Sequence, residues 1–141
     1  MVAIAPSPYH IREYGSSELS FGEKAAARTD EPAIDLVHLA RQTMGDQALE
    51  IELLELFDGQ SARIVSQLAK LADDAKIRGD LAHTLRGSAL AIGAGRVAQT
   101  AQAYEALCLM STPRPGSSAA ALEALVEAVD EARAAIARLL D

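Results

Sequence analysis

The chain has 141 residues, half of them hydrophobic, with no tryptophan, one cysteine and a formal net charge of −7. This length fits one domain, and the negative charge argues against nucleic acid as a partner. A single cysteine cannot form an internal disulfide, and no C-x-x-C motif indicates a metal or redox site. There is no signal-peptide pattern and no apolar run long enough to span a bilayer, so we expect a soluble cytoplasmic protein without a membrane partner.

Residues 1–30 differ in composition from the rest of the chain. They carry Pro, Ser and Gly without a sustained apolar period, and they hold three of the five aromatic residues, Tyr9, Tyr14 and Phe21. Such a composition is typical of a flexible arm. The alternative is a docking arm whose aromatic side chains pack on the domain or on a neighbour. We therefore divide the chain into an N-terminal arm, residues 1–30, and a helical domain, residues 31–141.

From residue 32 onward, apolar residues recur at three- and four-residue steps, the period of an amphipathic helix. A short first helix is predicted from the spacing of Ile34, Val37, His38 and Arg41. A longer helix follows Asp46, whose side chain is suited to cap its N-terminus. The apolar stripe of this second helix is predicted to be Leu49, Leu53, Leu56, Phe57, Ile64, Leu68 and Leu71.

Three more helices are predicted in the second half of the chain. The third starts after Asp73 and Asp74, runs from 75 to 91 or 93, and ends at the "GAG" turn of residues 93–95. The fourth covers 96–110, and a turn-rich loop precedes the last, at 119–140. The side chains of the last helix that we expect to face the core are those of Leu122, Leu125, Val126, Val129, Ile136 and Leu139. Together these elements predict an all-α fold: an antiparallel up-down four-helix bundle with a short additional N-terminal helix.

The stretch "LAHTLRGSALAIGAG", residues 81–95, places a histidine inside the third helix and a glycine one turn later. Glycine in a helix costs roughly 0.5–1 kcal/mol relative to alanine, so the absence of a side chain should serve a purpose. At 100° per residue the predicted core face holds Leu81, Leu85, Ser88, Ala89 and Ile92. His83 falls on the opposite side, flanked by Arg86, Gly87 and Leu90. This arrangement suits a histidine that meets something large and anionic.

A carboxylate on the next helix can prepare this histidine for nucleophilic attack. An imidazole attacks through one ring nitrogen when the other carries the proton, and a carboxylate bonded to that N–H fixes the tautomer. The tight turn makes the third and fourth helices antiparallel, so His83 and Glu105 should come level. Arg86 would offset the charge of a bound phosphoryl group. Weaker candidates for that role are Lys76, Arg78 and Arg96.

These residues resemble a known signature. The stretch "AHTLRGSALAIGA" is similar to the motif of histidine-containing phosphotransfer (Hpt) domains, commonly written A-H-x-L-K-G-S-(x)-x-x-G-A. The matching positions are Ala82, His83, Leu85, Gly87, Ser88, Gly93 and Ala94. The resemblance covers roughly residues 33–140. Arg86 stands where the motif usually has a lysine. Arginine keeps the positive charge, but its side chain is longer and its guanidinium is planar, so the two residues are not equivalent.

The resemblance implies a phosphorelay intermediate. His83 would accept a phosphoryl group from the phosphoaspartate of a receiver domain, or from a kinase, and pass it to an aspartate of a response regulator. Gly87 would give the receiver access, and Glu105 would orient the imidazole. The implied partners are response-regulator receiver domains and a sensor or hybrid histidine kinase. No cofactor or metal of its own is expected, because magnesium belongs to the receiver's aspartate pocket.

The chain lacks a glycine-rich nucleotide loop and a G-x-x-x-x-G-K-[ST] motif, so we expect a monomeric phosphoryl carrier without an ATP site rather than an enzyme. The three histidines also lack the spacing of a metal site in a bundle. One alternative is an interaction module that binds receiver domains or a kinase without transferring phosphate, which the intact His83 disfavours. Another is the phosphotransfer segment of a larger kinase. No catalytic domain follows the last helix, so we expect a stand-alone protein.

Overall fold

The computed structural model describes residues 31–70, 74–110 and 114–141; the predicted arm of residues 1–30 lies outside them. In these ranges all regular secondary structure is α-helical. The helices are α1 (Leu36–Thr43), α2 (Gln47–Lys70), α3 (Ala75–Ile92), α4 (Gly95–Cys108) and α5 (Ser117–Leu140). The predicted fold class and the predicted number of helices within these ranges are therefore confirmed.

The four long helices close into a ring. Helix α2 packs against α3 and α5, and α4 packs against the same two helices. The short helix α1 lies against α2 and α3. Among the described helices, the contacts between α3 and α4 are the most extensive. None of the helices within the described ranges combines the length and the apolarity needed to cross a membrane.

Aspartate side chains begin the first three helices. Asp35, Asp46 and Asp74 each accept a hydrogen bond, at 3.1 Å, from the backbone N–H three residues later. Such a bond satisfies one of the free N–H groups at a helix N-terminus. The predicted starts at Asp46 and Asp74 are confirmed, whereas Asp73 lies outside the described residues.

The turn between α3 and α4 depends on Gly93. Its backbone has a φ of 84°, in the left-handed region that glycine adopts without strain. A Cβ added there would lie 2.8 Å from the carbonyl oxygen of Asp35. The Asp35 N–H also donates to the Gly93 carbonyl oxygen at 2.9 Å. The predicted helix stop is confirmed. The same glycine lets Asp35, the residue before α1, lie directly against the turn.

The core lies between the helices and consists of aliphatic side chains with two aromatic rings, those of Phe57 and Tyr104. Alanines contribute a large share of it, because their small side chains let neighbouring helices pack closely. The buried alanines are Ala82, Ala89, Ala94, Ala98, Ala101, Ala128 and Ala132.

The predicted apolar faces of α1 and α2 are partly wrong. In α2 the buried stripe is Leu54, Phe57, Ser61, Ile64 and Leu68. Leu56, which the sequence places inward, is 61% exposed, and Leu49 is also exposed. In α1 Leu39 is buried while Val37 is exposed. Adjacent apolar residues cannot all face one side of a helix, and hydrophobicity alone does not say which of them does.

The faces predicted for the later helices agree better with the structure. In α3 the predicted Leu85, Ala89 and Ile92 are buried, with Ala82 and Gly79 completing the stripe. In α5 the predicted Leu125, Val129 and Ile136 are buried, but Leu139 is exposed near the helix end. Helix α3 therefore has the rotation that the sequence predicts, and this rotation decides where His83 lies.

Candidate functional site

His83 projects from the solvent-facing side of α3. Ala82 and Leu85 on either side of it are fully buried, so the packing of α3 against the bundle sets its rotation. That rotation leaves 66% of the His83 side chain exposed to solvent. The predicted outward placement of this histidine is confirmed.

Glu105 on α4 holds one nitrogen of the imidazole. Its Oε2 lies 3.0 Å from Nδ1 of His83, while only 19% of the Glu105 side chain is exposed. The contact that the sequence predicts is therefore present. When Nδ1 carries the proton it donates to this carboxylate, and the lone pair of Nε2 is left for an incoming electrophile.

Arg86 meets the same carboxylate from the other side. Its guanidinium nitrogen lies 3.5 Å from Oε1 of Glu105, with about a third of the arginine side chain exposed. This ion pair is longer than the roughly 2.7–2.9 Å of a strong charge-assisted hydrogen bond. Glu105 thus has one oxygen against His83 and the other against Arg86, a contact that the sequence pattern did not predict. The role of Arg86 toward a phosphoryl group stays a prediction.

Gly87 leaves open space beside the histidine. The residue is exposed, and a Cβ added to it would have no contacting atom within 4 Å. Packing within the described residues therefore does not require a glycine at this position of α3. On the same side of the helix, Leu90 is also exposed. An open surface around His83 is what the approach of a second protein needs.

A known domain family matches most of the chain. The family described as the Hpt domain matches residues 35–139. The chain belongs to the Hpt domain family. The matched range includes the His83–Glu105 contact, and the family's phosphotransfer role in two-component signalling therefore extends to this chain.

A solved structure shows the same fold. The X-ray structure of a rice protein described as a histidine-containing phosphotransfer protein is similar to this Hpt chain with a TM-score of 0.52. The two are 17% identical, and the match covers 84% of this chain and 81% of the rice chain. At that identity the likeness concerns the helical bundle alone. No curated protein matches the chain.

The weaker basic candidates have other partners in this Hpt domain. Lys76 donates to Asp80 on the next turn at 2.9 Å, and this hydrogen bond raises the pKa of the lysine. Arg96 donates to Glu131 of α5 at 2.8 Å. Arg86, in contrast, pairs with the Glu105 carboxylate.

The interface between α3 and α4, here called the α3–α4 seam, continues one turn from His83 toward the N-terminus of α3. Arg78 donates through Nε to the hydroxyl of Tyr104 at 2.8 Å, and its guanidinium lies 5.5 Å from the centre of that ring. Tyr104 is fully buried. Cys108 is partly buried against the core, and this burial raises the pKa of its thiol. Gly79 of α3 faces Cys108 across the seam. Gly79 was not among the residues predicted for the site, and the signal that could have indicated it is a glycine one turn before the histidine.

Within the described ranges, no group of three His, Cys, Asp or Glu side chains is placed to hold a metal ion. What the site offers is a solvent-facing nitrogen nucleophile, a carboxylate that orients it, and a guanidinium beside that carboxylate. These groups can accept and release a phosphoryl group when a partner supplies it.

Proposed function

We propose that this Hpt domain is a phosphorelay intermediate whose acceptor is His83. It takes a phosphoryl group from the phosphoaspartate of a receiver domain, or from a sensor or hybrid histidine kinase. It then passes the group to an aspartate of a response regulator. The observation that supports this most directly is the exposed imidazole of His83 with Nδ1 held 3.0 Å from Glu105.

The transfer follows from the orientation of the ring. Nε2 attacks the phosphorus of the acyl phosphate, the bond between phosphorus and the aspartate oxygen breaks, and the aspartate leaves as a carboxylate. The ring is then phosphorylated on Nε2 while Nδ1 keeps its proton and carries positive charge. Glu105 stabilises that charge through the hydrogen bond from Nδ1. The reverse step regenerates the neutral imidazole on the next receiver.

The neighbouring residues support the same proposal. Arg86 brings a positive charge within one helical turn of the acceptor, where it can offset the charge of the phosphoryl group. Gly87 leaves the surface open for a receiver domain, which contributes magnesium from its own aspartate pocket. We further propose that the domain works as a cytoplasmic monomer with no ATP site of its own.

The test is transfer of label from a phosphorylated receiver domain in the presence of magnesium. Three proteins are compared: wild type, His83→Gln and Glu105→Gln. We expect the wild type to take up a label that is lost in acid and stable in base, His83→Gln to take up none, and Glu105→Gln to be slower. The side chain of His83 is mostly exposed, so melting temperatures should confirm that His83→Gln is folded.

Labelling of His83→Gln at the wild-type level would exclude this residue as the acceptor. If the wild type binds receivers but takes no label from any of them or from a kinase, the domain is an interaction module instead. Direct binding measured alongside transfer separates these two results.

A further inference from the structure

Helix α3 contains a buried glycine one turn before the acceptor histidine. A Cβ added to Gly79 would lie 3.3 Å from the Cβ of Cys108 on α4. Carbon atoms in ordinary contact lie about 3.5–4.0 Å apart, so a side chain at position 79 requires the neighbouring helix to give by a few tenths of an ångström. Gly79 therefore permits a helix separation that alanine would increase.

The close approach lies next to the phosphotransfer site along the same seam. Gly79 precedes His83 by one turn of α3, and Cys108 follows Glu105 by about one turn of α4. The two helices are antiparallel, so the Gly79–Cys108 approach and the His83–Glu105 contact are neighbouring interhelical contacts, about one helical turn apart. A change in the distance between α3 and α4 at one contact also changes it at the other, because packed helices move as rigid elements.

A second contact fixes α4 at the same level. Tyr104, the residue before Glu105, is fully buried, and its hydroxyl accepts the hydrogen bond from Arg78. This bond restrains the rotation of α4, so Glu105 has little freedom to follow His83 if the helices separate. A shallow cavity of about 370 Å³ opens between the two helices here, and its lining includes Gly79, Cys108 and Glu105.

From these contacts we infer that Gly79 is a positioning residue for the phosphoryl acceptor. By letting α3 and α4 approach closely, it keeps the Glu105 carboxylate within hydrogen-bond distance of His83 Nδ1. A methyl group at position 79 forces the helices apart by a few tenths of an ångström. The bond of 3.0 Å then lengthens toward the limit of about 3.2 Å for a good N–H···O hydrogen bond. The kinetic consequence of this inference rests on the proposed function, whereas the structural consequence does not.

The experiment compares Gly79→Ala with Gly59→Ala. Both are glycine-to-alanine changes inside long helices, and a Cβ at Gly59 would also meet an atom at 3.3 Å. That atom is the terminal nitrogen of Arg63, which can move aside, whereas the Cβ of Cys108 is fixed to its backbone. The pair therefore separates helix spacing from the general effect of alanine in a helix.

Two quantities are measured on each full-length protein. The first is the ratio of Nδ1–H to Nε2–H tautomers of His83, from imidazole ¹⁵N shifts at a pH where the ring is neutral. The second is the rate of phosphorylation by phosphoramidate, a small donor that needs no docking surface. In Gly79→Ala we expect a smaller Nδ1–H fraction and a rate lower by about fivefold, as for one weakened hydrogen bond. In Gly59→Ala both quantities should match the wild type.

A variant on the facing helix covers the case in which Gly79→Ala does not fold. Cys108→Val adds bulk from the α4 side and should shift the tautomer ratio in the same direction, while Cys108→Ala, which keeps only the Cβ, should not. Wild-type tautomer ratios in both Gly79→Ala and Cys108→Val would overturn the inference. If Gly79→Ala shifts the tautomer ratio but the wild type accepts no phosphoryl group, the positioning role is supported and the proposed function is refuted. The failure of one proposal can therefore be distinguished from the failure of the other.

Discussion

Two glycines near the C-terminal end of α3 lie in opposite surroundings. Gly87 has no atom within 4 Å of an added Cβ, whereas at Gly93 that Cβ would lie 2.8 Å from the carbonyl oxygen of Asp35. Both belong to the same signature, yet the bundle requires only the second. One motif therefore combines a position that the fold requires with a position that the fold leaves open. Substitutions at the two positions should therefore affect different measurements.

The largest effect on stability is expected for Gly93→Ala. Alanine with a positive φ costs about 1–2 kcal/mol, and the contact with Asp35 adds to it, so we expect a loss of about 2–3 kcal/mol. For a domain of this size that loss lowers the melting temperature by roughly 9–13 °C. Thermal unfolding followed by circular dichroism measures it.

Gly45→Ala is the matched control for that prediction. Gly45 has a similar φ of 80° but no atom within 4 Å of an added Cβ, so it should show the backbone strain alone. Equal losses at the two positions would mean that the close approach of Asp35 contributes nothing to stability.

A smaller effect, on transfer rather than folding, is expected for Gly87→Leu. The leucine side chain enters the open space beside His83 and obstructs a docking receiver, so transfer from a phosphorylated receiver should slow by about tenfold or more. The melting temperature should not fall, because glycine is the poorer helix former. Ala134→Leu, an exposed change on α5, controls for the added surface leucine. Wild-type transfer rates in Gly87→Leu would show that the glycine is not needed for access.

The smallest effect is expected for Asp35→Ala. This change removes the side-chain cap of α1 and keeps the backbone bond from Asp35 to Gly93, so the loss should be about 1 kcal/mol. Asp46→Ala removes the corresponding cap of α2 and should lose a similar amount in urea unfolding. A much larger loss for Asp35→Ala would show that its side chain also supports the turn at Gly93.

Features with local causes were predictable from the sequence. The caps at Asp46 and Asp74 and the stop at Gly93 each depend on a few neighbouring residues, and all three are present. The contact between His83 and Glu105 was predictable as well, because a tight turn sets the register of the two helices that it joins. The matching residues of the signature are sufficient to predict the family.

Features that depend on side-chain geometry across helices were not predictable. The guanidinium of Arg86 contacts Glu105 because of its rotamer, which no spacing rule supplies. The buried role of Gly79 depends on the distance between α3 and α4, and an isolated helical pattern contains no such distance. In α2, Leu53 and Leu54 are equally apolar, and only the packed bundle shows that Leu54 is the buried one.

The position of the site within the chain has a consequence for how the molecule assembles. The His83–Glu105 contact closes a loop of 22 residues, whereas the contact between Asp58 and Arg133 spans 75. Because loop-closure entropy grows with the logarithm of loop length, the shorter loop costs about 1 kcal/mol less to close. Contacts between near neighbours in sequence also form faster than distant ones. His83 and Glu105 therefore lie on a helical hairpin whose closure costs less chain entropy than the pairing of α2 with α5.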